Sequence, residues 1–118
     1  MSKKTVILCD TKGNGESHYV FAQIGAQGEI VFVGHNLSSG NSIMGYRECE
    51  WSLTVELENI SKLTRALKLH SYFGWWPVSR TELLRVLQRR FSGSRSRKLQ
   101  TFLDKHDVPY SLWSRIGD

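Results

Sequence analysis

Trp51, Leu53, Val55 and Leu57 alternate with Ser52, Thr54 and Glu56, and from residue 60 the apolar spacing changes to threes and fours. Strict alternation lines one face of a strand, whereas Ile60, Leu63, Ala66 and Leu67 share a face only on a helix. A chain that changes period once, near its midpoint, has a strand-built half followed by a helix-built half. That order predicts an α+β fold, with helices gathered on one face of a sheet and not interleaved with its strands.

The strands can be placed one by one. Thr5-Val6-Ile7-Leu8-Cys9 is short, β-branched and apolar, and the turn cluster Asp10 to Gly15 follows it. His18 to Ile24 and Glu29 to Val33 flank Gly25-Ala26-Gln27-Gly28, which predicts a hairpin. Both segments are apolar without alternation, so they are expected to sit centrally with both faces partly covered. Asn36 to Gly45 reads as a loop with three small-residue breaks, and Tyr46 to Leu57 as the fourth strand. Short connections leave little choice of pairing, and a four-stranded antiparallel meander is the economical assembly.

In the second half, Asn59 stands at the N-cap position of a first helix. His70 to Pro77 interrupts it with an aromatic-rich connection. Ser79-Arg80-Thr81-Glu82 then matches a capping box, with Val78 and Leu83 at the staple positions. The apolar face of this second helix is Leu83, Leu84, Leu87 and Phe91, which leaves Arg85 and Arg89 one turn apart on another face. Ser92-Gly93-Ser94 ends it. A third helix turns Leu99, Phe102 and Leu103 inward and stops near His106-Asp107. Val108 to Trp113 is extended, as an edge strand or a tail on the sheet. The chain has 118 residues, 40% hydrophobic and 13 of them aromatic, enough for a real core. A single domain over residues 1–118 is expected, with strands within 5–57, about three helices within 59–106 and an extended C-terminal tail.

The charge follows the same division. Residues 1–60 carry four Lys/Arg against seven Asp/Glu, a net −3; residues 61–118 carry twelve against four, a net +8. Such a split concerns partners and encounter rates, not fold. The Met-Ser-Lys-Lys start runs straight into a strand without an apolar signal region, and no apolar run approaches the ~20 residues of a membrane span. A soluble cytoplasmic protein without a membrane partner is expected, with Cys9 and Cys49 as reduced, largely buried thiols.

Basic side chains concentrate between residues 85 and 98, where Arg85, Arg89, Arg90, Arg95, Arg97 and Lys98 surround a Gly/Ser turn. Guanidinium forks there could hold phosphates, or carboxylates of an acidic protein, or simply be solvated helix-end charges. Tyr72, Phe73, Trp75 and Trp76 form a second candidate, as stacking platforms, as protein hot spots, or as a plug between sheet and helices. Glu48, Glu50, Glu56 and Glu58 offer an alternative acidic face. His18 and His35 both stand near strand ends, and could act as an acid–base pair in a metal-free nuclease if the hairpin brings them together. Asp10, Glu48 and Glu50 are conceivable metal ligands. No zinc spacing, phosphate loop or nucleophile elbow is present, so no metal and no cofactor are expected.

The layout resembles a group of small bacterial proteins. The features that carry the resemblance are the Cys9-Asp10 strand end, Gly34-His35-Asn36-Leu37, the strand Tyr46 to Val55, and the ending Pro109-Tyr110-Ser111-Leu112-Trp113-Ser114. Proteins of this kind are similar to orphan immunity proteins, which neutralise toxins used in bacterial competition. The resemblance implies a non-enzymatic, protein-binding role, with a cognate toxin as partner and charge-complementary docking as mechanism. The chain departs from the group in carrying Arg47 and basic helices where the relatives are acidic. The helices would therefore suit an acidic partner, whereas a basic toxin would be met by the acidic sheet half. A nucleic-acid-binding module, built on the basic helical stretch and exposed aromatics, is the alternative.

Overall fold

The computed structural model describes residues 5–13, 16–38, 47–68 and 79–117. Strands β1 (Thr5–Gly13), β2 (Glu16–Ile24), β3 (Ile30–Ser38), β4 (Arg47–Val55) and β5 (Ser111–Gly117) form one antiparallel sheet in chain order. Helices α1 (Ile60–Ala66), α2 (Arg80–Arg90) and α3 (Leu99–Lys105) come between β4 and β5, with 3-10 segments at Leu57–Asn59 and Gly93–Lys98. The fold is the expected α+β meander followed by helices, and the C-terminal segment completes the sheet as its fifth strand. No helix among the described residues is long and apolar enough to cross a membrane.

Register sorts the side chains between two faces. Val20 and Ala22 of β2, Ile30 and Phe32 of β3, and Leu53 and Val55 of β4 alternate onto the face that the helices cover, and all are buried. They form one core with Ile60 and Leu63 of α1, Leu83, Leu84 and Leu87 of α2, and Leu99 and Leu103 of α3. On β1 the register slips between Ile7 and Cys9, so Leu8 is an extra residue and both Leu8 and Cys9 turn inward. Cys9 is a buried free thiol and Cys49 a half-buried one, with two strands between them.

Polar bonds fix the helices on this face. Ser79 Oγ accepts from the Glu82 amide at 3.1 Å, as the capping box predicts, while its staple residue Val78 lies outside the described residues. Gly28 closes the β2–β3 turn at φ +87°, a conformation that glycine adopts without cost. Its carbonyl accepts from Arg80 Nε at 3.1 Å, and Gln88 Nε2 donates to the Ile7 carbonyl at 3.0 Å. Helix α2 is thus tied at its start to the hairpin turn and near its end to β1.

The strand ends and one cap differ from the sequence expectations. The alternation does not carry Leu57 into β4: the strand ends at Val55, and Leu57 is exposed in a 3-10 turn over Gly28. Asn59 makes no capping bond through its side chain, because the 3-10 segment already leads into α1. Strand β1 runs on to Gly13 where a turn was expected from Asp10, and β3 runs through Gly34 to Ser38 where the strand was expected to end at Val33 and a loop to begin at Asn36. On the second face of β2 and β3, Tyr19, Phe21, Val31, Val33 and Leu37 are half-buried, in keeping with the expectation that both faces are partly covered, and they lie outside the helix-side core.

The approach to β5 is held by Tyr110, whose hydroxyl donates to Asp104 Oδ1 at 2.7 Å and accepts from Gln100 Nε2 at 3.0 Å. The bond to Asp104 raises the phenol above its usual range. A raised phenol favours the fold while neutral. Its contribution is complete below the unfolded-state value near 10 and disappears as pH rises through the higher folded-state value. Difference absorbance of wild type against Tyr110→Phe should therefore show one late-titrating tyrosine, and the two proteins' stabilities should converge at alkaline pH.

Candidate functional site

Register aligns Thr11, His18 and Asn36 on one end of the sheet, and the 3-10 segment Gly93–Lys98 packs against β1. Ser96 is buried there, with its hydroxyl donating to the Gly93 carbonyl at 2.8 Å, and this anchors the exposed Arg97 beside it. Between this segment and the sheet lies a cavity of about 380 Å³, lined by Cys9, Thr11, His18, Asn36, Trp51 and Arg97 among others. His18 Nδ1 donates to Asn36 Oδ1 at 2.9 Å, and Glu16 Oε2 stands 3.7 Å from the other ring nitrogen. Trp51 is paired directly with Gly34, and its indole Cε2, Nε1 and Cζ2 atoms fill the space beside that residue, where any Cβ would fall inside contact distance.

The uncovered face is organised in transverse rows. Register aligns Ile7, Phe21, Val33, Ser52 and Trp113 from β1 to β5, so that four of the five are apolar. Ile7 and Trp113, at the two ends, are 47% and 51% exposed. Tyr19 lies beside Phe21 with ring centroids 5.7 Å apart. The next row is Asp10, Tyr19, His35, Glu50 and Arg115. Here His35 Nε2 donates to Glu48 Oε1 at 2.6 Å and lies 4.0 Å from Glu50 Oε1, while Arg115 Nη2 donates to Glu50 Oε2 at 3.1 Å. The ligand atoms of His35, Glu48 and Glu50 all lie within 4.8 Å of one another, a mixed nitrogen–oxygen donor set of the kind that Zn²⁺ or Mn²⁺ accepts. A cation would have to take the place of the proton between His35 Nε2 and Glu48 Oε1, and as it stands the arrangement is a cross-strand polar network with one Arg–Glu ion pair, bordering the apolar row.

This geometry reassigns several sequence candidates. His18 and His35 occupy opposite faces of the sheet and cannot share a substrate proton. Glu48 and Glu50 share the open face, as expected, but Asp10 is three strands away, about 14 Å. Glu56 and Glu58 follow the other end of β4, roughly 25 Å along the strand from Glu48. On the helices, Arg85 and Arg89 are exposed on the outer side of α2, and Arg90 lies over the Phe102 ring at 5.0 Å. Arg95 donates to Ser92 Oγ at 3.0 Å, Arg97 reaches the cavity, and Lys98 is exposed. Tyr72, Phe73, Trp75 and Trp76 lie outside the described residues.

The open-face row was not singled out from the sequence. Its signal was the absence of alternation in β2 and β3: both faces are apolar, yet three short helices can cover only one. No family model matches the chain, and no curated protein and no solved structure matches it either.

Proposed function

We propose that the protein is a non-enzymatic, immunity-type binding protein that acts in the cytoplasm and neutralises a toxin domain by docking on the uncovered face of its sheet. The observation that carries this reading is the row Ile7, Phe21, Val33 and Trp113, which places apolar side chains on four of the five strands and is interrupted only by Ser52 of β4. It spans roughly 19 Å, the scale of the apolar centre of a standard interface. Exposed apolar surface of this extent marks interaction sites, and aromatic anchors such as Phe21, Tyr19 and Trp113 supply most of the binding energy in them. Glu48 and Glu50 at its border suit a partner whose apolar patch is edged by Lys or Arg. The arginines of α2 then serve solubility and encounter, not the contact itself.

The reading expects a toxin domain in the neighbouring reading frame, and the test is co-expression with that domain, read as growth rescue and as affinity of the purified pair. Wild type should rescue. Phe21→Asp should weaken binding about thirtyfold, the loss of one hot spot, while Arg89→Ala with Arg95→Ala should leave it nearly unchanged. A tight complex without rescue, or one indifferent to Phe21→Asp, would overturn the reading. Saturable, salt-sensitive capture of a single-stranded oligonucleotide by this face would redirect it to nucleic acid.

A further inference from the structure

We infer that the helix-side groove around Trp51 is a binding site for a small amphipathic anion, an organic carboxylate or sulfonate with a flat apolar body. The site lies on the face of the sheet opposite the docking row and is independent of the function proposed above.

The groove has two halves. The first is the 380 Å³ cavity beside Thr11, Asn36 and Arg97; the second, of about 330 Å³, is lined by Cys49, Leu53, Leu99 and Leu112. Trp51, Ser96 and Arg97 line both, so the indole and the guanidinium stand between two compartments of one groove. Each half alone is of the size that small-molecule sites have.

Their chemistry is complementary. In the first half, Thr11 and Ser94 carry hydroxyls, Arg97 carries a full positive charge, and Asn36 retains its amide NH₂ because its oxygen already accepts from His18. No carboxylate lines either half among the described residues, and Arg97 has no ion pair there. Arginine is the side chain suited to planar anions, and its position is set by the buried Ser96 that precedes it. In the second half, three leucines and the edge of Trp51 provide an apolar wall. Leu112 is half-exposed in solvent terms yet faces this wall, which gives its exposure a use. The anionic head belongs on Arg97, and the flat body against Trp51 and Leu112.

Cys49 lines the second half and is half-buried, so it can report on occupancy, whereas Cys9 in the first half is buried. The probe is 8-anilinonaphthalene-1-sulfonate, titrated into the folded full-length chain by fluorescence, with maleimide labelling of Cys49 followed by mass spectrometry. One saturable site is expected, with labelling slowed at Cys49. Arg97→Ala should weaken the probe about tenfold or more, the effect of removing a charge-assisted bond, and Arg97→Lys should weaken it less. Arg97 is exposed, so its replacement leaves the thermal transition in place, and Arg89→Ala is the control that should not change binding. Non-saturable binding, an affinity insensitive to Arg97→Ala, or an unprotected Cys49 would each overturn the site.

Discussion

Phe32→Ala should destabilise the protein by about 3–5 kcal/mol, the largest loss expected from any single truncation on the sheet. Phe32 is fully buried in β3, the middle strand, and register sets it between Ala22 of β2 and Leu53 of β4. The small neighbour on one side and the branched one on the other leave a ring-sized space that only this ring fills. The strand backbone is held by hydrogen-bonded partners on both sides, so the walls cannot collapse to close the cavity left by truncation. In a chain of this size the melting temperature should fall by roughly 10–20 °C. Phe21, on the adjacent strand but on the open face, is only half-buried, and Phe21→Ala should cost no more than about 1 kcal/mol. Thermal and urea denaturation of the two variants make the comparison. Equal costs would mean that the face assigned as uncovered is in fact part of the core.

The same contrast shows what was legible in the sequence. Alternation from Trp51 to Val55 identified a strand with one buried face, and the capping box at Ser79 fixed the start of α2 to the residue, because both signals are local. Leu57 continued the alternation but could not reveal that the chain leaves the sheet after Val55, since a 3-10 turn and a strand end look alike over two residues. The apolar runs in β2 and β3 announced two apolar faces. Whether the second is covered depends on how many helices are available, which is a property of the whole fold. The His35–Glu48–Glu50 network was hidden for another reason. Its members are joined by register, and a shift of one residue in the β3–β4 pairing would have sent His35 to the other face. The third strand is expected to stop at Val33, before Gly34, because nothing near it in sequence excuses a glycine inside a strand.

That excuse is Trp51, and it yields the second large effect. Gly34→Val should cost about 3 kcal/mol, at the upper end for overpacking, although valine is the better strand residue in general. Gly34 is buried in β3 directly opposite Trp51 of β4, and the indole Cε2, Nε1 and Cζ2 atoms occupy the space of its missing side chain. The indole is rigid and packs against the core, so it cannot yield by a small rotation. It must swing off the sheet, which exposes apolar surface and removes the wall common to both halves of the groove. The backbone itself is no obstacle, since Gly34 does not lie in the left-handed region. The cost should therefore vanish when the indole is absent: in a Trp51→Ala background, Gly34→Val should be neutral or slightly stabilising. A double-mutant cycle measured by denaturation should return a coupling of about 2–3 kcal/mol, and the single Gly34→Val variant should also lose the sulfonate probe. Additive costs would show that the glycine is required by the strand and not by the tryptophan. The coupling, if found, explains why β3 continues four residues past a glycine and carries Asn36 to the rim of the groove.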